Sequence, residues 1–153
     1  DYNAAMVALF PEVFEGQPTG VPTWFIEVED SLFQLVTDVS AAEASCAPGR
    51  GLSTIGAHTF HVRYFLQLTN AFIRGEHPTP NWESSWSQST FSESEWGELR
   101  ESLRVEYEGV LGFLSTNPEW PAQDWLMGAM ALVPHVAYHV GSIRQLKPIV
   151  LSD

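Results

Sequence analysis

Four stretches, about residues 22–44, 53–74, 92–116 and 121–146, repeat their apolar residues every three to four positions. Nothing in the chain alternates with period two over a strand's length. Such a rhythm puts one apolar stripe on each of four helices. A helix of about 20 residues is about 30 Å long and cannot bury its stripe alone. The pattern therefore predicts an all-α chain folded as an antiparallel four-helix bundle. At 153 residues it reads as one domain over 1–153, large enough to bury roughly 70% of its unfolded surface.

Local signals mark the ends of the stretches. Pro22 suits a first helical turn, where its missing N–H has no partner to lose, and Phe25, Val28, Leu32, Leu35 and Val39 continue as a stripe. Ser53 or Thr54 can cap the second helix, and Gly75 fits as its C-terminal stop. Ser92-Glu-Ser-Glu95 has the spacing of a capping box, with Trp96, Leu99, Leu103, Tyr107, Val110 and Leu114 behind it and Asn117-Pro118 as its end. The last helix is bounded by Pro121 and Pro148. Residues 1–20 read as an N-terminal extension with at most a short helix over Ala4–Phe10, because Pro11, Gly16, Pro18 and Gly20 break any regular element beyond it. Residues 76–90, with Pro78, Pro80, Trp82 and Trp86, form a crossover too long for a plain turn and too aromatic for a tether.

Charge excludes several roles. The chain carries 19 acidic and 7 basic residues, a net charge of −12. Phosphate backbones are held chiefly by Lys and Arg, so nucleic acid is not an expected partner, and anionic membranes are disfavoured likewise. No run approaches about 18 consecutive apolar residues, so no membrane span is expected. The single cysteine, Cys46, cannot form an internal disulfide, which suits a reducing cytoplasm; without a basic partner other than Arg50, it reads as incidental.

The histidines carry the chemistry. His135 and His139 stand i, i+4, about 40° apart on one helix face, together with Gly128, Leu132 and Leu146. Two imidazoles so placed can reach one ion at about 2.0–2.1 Å from each nitrogen. His58 and His61 stand i, i+3 on the second helix, and at least one of them faces inward. Two helices thus bring three or four imidazoles to one core. A lone buried histidine is more often a hydrogen-bonded core residue, but several without partners would be costly. His77, in Glu-His-Pro, reads as a loop residue. Pro134 can re-aim His135 or simply kink the helix.

The segment His135-Val-Ala-Tyr-His139-Val-Gly-Ser-Ile resembles the last-helix signature of the DinB/YfiT-like family of metal-dependent bundle proteins, His-x-x-x-His-x-Gly-Gln-Ile. Ser53-Thr-Ile-Gly-Ala-His-Thr-Phe-His61 resembles that family's second-helix pattern, in which a histidine six residues after the Ile is a ligand. Ser142 stands where the family usually has Gln, and Tyr138 where a second His is common. The resemblance covers about residues 22 to 147. It implies an up-up-down-down bundle with a long crossover between the second and third helices, and often a homodimer. It also implies a divalent ion, zinc or nickel, on His61, His135 and His139, with His58 as the extra histidine.

Three imidazoles with a position left open describe a catalytic site. The expected activity is a metal-dependent transfer, with a thiol as cofactor, or a hydrolysis, on a small-molecule substrate. The alternative is a non-catalytic metal- or ligand-binding module that dimerises. Glu106, Tyr107, Tyr64 and Asn70 are candidate partners for the outer ring nitrogens, with ordinary packing or solvation the favoured reading of each. Trp82, Trp86, Trp96, Trp120 and Trp125 are expected to cover the bundle ends or to wall a pocket.

Overall fold

The computed structural model describes residues 2–116 and 118–151. These residues are all-α, with no strand among them. The helices are α1 (Tyr2–Glu15), α2 (Leu32–Thr37), α3 (Ala41–Ala44), α4 (Ile55–Ile73), α5 (Glu93–Ser115) and α6 (Gln123–Val150). Short 3-10 turns lie at Val28–Asp30 and Ser84–Trp86. Among the four long helices, α1 packs on α5 and α6, and α4 packs on the same two.

Three helices match their predicted patterns closely. Thr54, not Ser53, caps α4, accepting the Ala57 N–H at 3.0 Å. Ser92 and Glu95 form both bonds of the predicted capping box. The α5 stripe from Trp96 to Leu114 is buried as a set. Asn117, expected to end that helix, lies outside the described residues; α5 ends at Ser115. Pro148 does not close α6, which continues to Val150. Its ring sits on an exposed position, where water can satisfy the carbonyl it leaves free.

The predicted first helix over 22–44 does not form. Glu12 supplies the reason. Its Oε1 accepts the backbone N–H groups of Trp24, Phe25 and Ile26 at 2.8, 2.7 and 3.0 Å, fixing this segment outside a helix. Gln17 bonds the other oxygen at 2.9 Å. Burial pushes the Glu12 carboxyl up, but these four hydrogen bonds outweigh it and hold the group below the usual carboxylate range. Downstream, Ser31 and Ser40 take extended backbone and start new helices, because serine side chains bond nearby backbone groups in competition with helix continuation. Leu32, Leu35 and Val39 reach the core, whereas Phe25 is exposed.

The missing long helix is replaced by α1, where the sequence led us to expect only an extension. Proline inside a helix costs about 3 kcal/mol. Phe10, Val13 and Phe14 flank Pro11 and are wholly buried, and full burial contributes roughly 1.5–3 kcal/mol for each such side chain. Burial wins. Phe10 and Phe14 pack with Phe33 around Tyr107, at ring separations of 4.7–5.5 Å. Gly16 ends the helix at φ +76°, and a Cβ there would lie 2.6 Å from Val28 Cα, so only glycine fits.

By length and composition alone α6 is apolar enough to cross a membrane, with an 18-residue window of mean hydropathy 1.3, a test that the core helix of a bundle also passes. Leu132, Val136, Val140, Ile143 and Leu146 on this helix are buried in the core.

Candidate metal centre

His61 on α4 and His135 and His139 on α6 converge. Their ligating atoms all lie within 4.8 Å of one another. His135 Nε2 is 3.2 Å from His61 Nε2 and 3.2 Å from His139 Nε2. One turn of α6 separates its two rings, and α4 presents the third. His61 and His139 are buried, while His135 is half-buried. These three histidines are close enough to hold one metal ion.

The outward nitrogens decide which faces are bare. Ser85 Oγ lies 2.6 Å from the Trp82 carbonyl, to which it donates its only proton. The same Oγ lies 2.8 Å from His61 Nδ1 and must accept there. His61 therefore carries its proton on Nδ1, and its Nε2 points a lone pair at the other two rings. His139 Nδ1 pairs with His58 Nδ1 at 3.0 Å. His135 Nδ1 is buried with no hydrogen-bond partner among the described residues. Ligating histidines characteristically give their second N–H to an acceptor, and this arrangement supplies one for His61 and one for His139. The donor set fits a divalent ion.

His58, kept in the sequence as a possible fourth ligand, is not part of the cluster. Its Nδ1 meets the back of the His139 ring, so it serves as that ring's partner. His77 is an exposed loop residue, as expected.

Burial pushes the His139 ring down to about 3, and the neighbouring His135, His61 and His58 add to the effect. His61 is pushed down to about 4, by burial first and then by His135 and His58. Burial also lowers His58 and His135. All four rings are thus neutral at pH 7, the form that ligates metals.

The four candidate outer partners are elsewhere, in ordinary packing and hydrogen bonds. Asn70 and Glu106 bond each other across α4 and α5 at 2.6 Å. Tyr64 accepts the Asn81 N–H at 2.9 Å and ties down the crossover, and Tyr107 belongs to the phenylalanine cluster. Sequence reasoning missed Ser85, which is wholly buried in a 3-10 turn that no periodicity announces.

Five of the six tryptophans divide into three roles. Trp96 is core and donates to the Val39 carbonyl at 2.7 Å. Trp120 and Trp125 line an apolar cavity. Trp82 and Trp86 pack on the histidines: Trp86 stacks on His61 at 4.3 Å and 20° and meets His58 edge-on at 5.4 Å. The crossover therefore covers the histidine cluster.

Compared with protein-family models, curated proteins and solved structures, the chain finds no match. Its function has to be read from the histidines themselves.

Proposed function

We propose that this chain is a DinB-like metal-dependent protein in which His61, His135 and His139 hold one zinc or nickel ion and act on a small organic substrate. The observation that carries the reading is the tautomer of His61, fixed by Ser85 and Trp82 so that a lone pair faces the Nε2 atoms of His135 and His139. Imidazole ligands suit either ion. A divalent ion held there supplies a Lewis acid and lowers the pKa of coordinated water or thiol. His58 stands behind His139, leaving three protein ligands, the number typical of a catalytic site. Transfer to a thiol or hydrolysis is the proposed chemistry, in a reducing cytoplasm suited to the free Cys46.

The fold proposed with it is a four-helix bundle of α1, α4, α5 and α6. Side-chain pairs support its directions. His58 and His61 meet His139 and His135 in reverse order, so α4 and α6 are antiparallel. Thr54 bonds Ser89, and Asn70 bonds Glu106, so α4 and α5 run together. Asn3 bonds Pro118 while Glu15 approaches Arg104, so α1 opposes α5. That order is up-down-down-up rather than up-up-down-down, with the long crossover joining the two parallel helices.

The test is metal content per chain, on protein purified without a chelating tag, for wild type, His61→Ala and His139→Ala. About one equivalent of a transition metal in wild type, lost in both variants, upholds the site and justifies thiol-transfer and hydrolysis panels. No uptake after incubation with zinc and nickel overturns it.

A second reading, a non-catalytic metal-binding module that dimerises, is favoured by Met127, Met130, Tyr138 and Ile149, which α6 leaves exposed. Metal uptake without turnover in either panel, together with a dimer broken by Tyr138→Glu in sedimentation, selects it.

A further inference from the structure

Next to the histidines lies a cavity of about 360 Å³ between α4, α5, α6 and the crossover. Its walls include the rings of Phe65, Phe113, Trp120 and Trp125 together with Leu68 and Leu132. It is partly open to solvent, and a mostly apolar cleft of this size falls in the range of small-molecule sites, about 300–1,000 Å³. An apolar cavity of about 150 Å³ stays dry and accepts benzene; this one has more than twice that room, enough for two fused rings.

The polar groups of the lining narrow the ligand's chemistry. The Thr69 hydroxyl is committed to the Phe65 carbonyl at 2.9 Å. The Trp120 indole N–H is committed to Asn3 Oδ1 at 2.7 Å. The lining's one charged residue, Asp124, is exposed in the first turn of α6. An anion would meet that carboxylate and a chain of net charge −12 with no basic residue in the lining.

The cavity and the histidines share a wall. Phe65 lines the cavity and packs on His135 at 4.0 Å. Trp82 lines it too, and its ring lies 6.4 Å from that of His61. No histidine lines the cavity. We infer that it binds a neutral aromatic compound of about two fused rings beside the histidine cluster. The inference does not rest on the metal-site reading.

The experiment titrates metal-free protein with naphthalene and with 2-naphthoate by calorimetry. One naphthalene binds per chain, and 2-naphthoate binds at least tenfold more weakly. Ala129→Phe and Leu68→Trp, which fill the cavity from α6 and α4, each weaken naphthalene at least tenfold with helical circular dichroism unchanged; if one variant fails to fold, the other decides. No naphthalene binding up to its solubility limit, equal binding of the anion, or undiminished binding in the folded filled variants overturns the cavity assignment.

Discussion

Ser85 Oγ sits 2.8 Å from His61 Nδ1 and 2.6 Å from the carbonyl of Trp82, so one hydroxyl dictates which nitrogen of His61 is bare. Ser85→Ala removes that control while leaving all three clustered imidazoles in place. Zinc affinity should fall about 10–100-fold, the usual cost of losing an outer partner of a ligating histidine. Competition with a chromogenic chelator measures it, and an unchanged affinity contradicts the assigned tautomer.

His58→Ala should separate a partner from a ligand. Because His58 meets the far side of His139 rather than the cluster's centre, the variant should still bind one ion per chain, with affinity lowered by about the same 10–100-fold. Loss of stoichiometric binding, as severe as in His61→Ala, would place His58 among the ligands after all.

Metal-free protein should lose stability on acidification. The folded state holds His61 down to about 4 and His139 down to about 3, from 6.5, so the unfolded chain binds more protons between those values. The stabilising contribution is complete above about 6.5 and is lost progressively as the pH falls toward the folded values. The slope is at most about 1.4 kcal/mol per pH unit for each histidine. The depressed Glu12 carboxyl adds a loss of the same sign below its unfolded value of 4.5. Urea midpoints at pH 7.5, 6 and 5 should fall in that order; a flat profile refutes the burial of neutral rings.

Glu12→Ala leaves the N–H groups of Trp24, Phe25 and Ile26 without their acceptor. Hydrogen bonds to a charged group are worth about 1.5–3 kcal/mol each, but Trp24 and Phe25 are exposed and water can reach this segment, so the loss should be about 1.5–3 kcal/mol in all. Glu12→Gln keeps an oxygen in place and should cost roughly half as much, since bonds to a neutral acceptor are weaker than bonds to a charged one. Chemical denaturation of both variants tests the ranking.

Trp86 should report on metal binding. Its indole stacks on His61 at 4.3 Å, closer than Trp82 at 6.4 Å. Nickel added to metal-free protein should quench tryptophan emission, and Trp86→Phe should remove most of that quenching without removing the binding. Quenching that survives the substitution places the ion elsewhere.

The features legible in the sequence are those set by short-range rules. The i, i+4 spacing of His135 and His139 requires only helical geometry, and Ser92–Glu95 requires only a capping box. Both need nothing beyond a few neighbouring residues. The errors came where distant groups intervene. Glu12 reaches 12 to 14 residues along the chain to hold Trp24–Ile26 out of a helix, and no local pattern encodes that. Pro11 argued against α1 because propensity is local, whereas the burial of Phe10, Val13 and Phe14 that overrides it depends on helices much later in the chain. Ser85 was invisible for the same reason: its partner His61 lies 24 residues away.

His61 and His135 touch although 74 positions separate them along the chain. An ion gripping both would act as a reversible cross-link. Loop closure is an entropic cost that grows with loop length, and a permanent bond closing a loop of this size is worth roughly 4 kcal/mol in chain-entropy terms. The two helices that hold the ion, α4 and α6, must be in place before the grip can close. Occupancy of the histidines would then mark a chain that has finished folding, and a chelator would act on this protein as a mild denaturant.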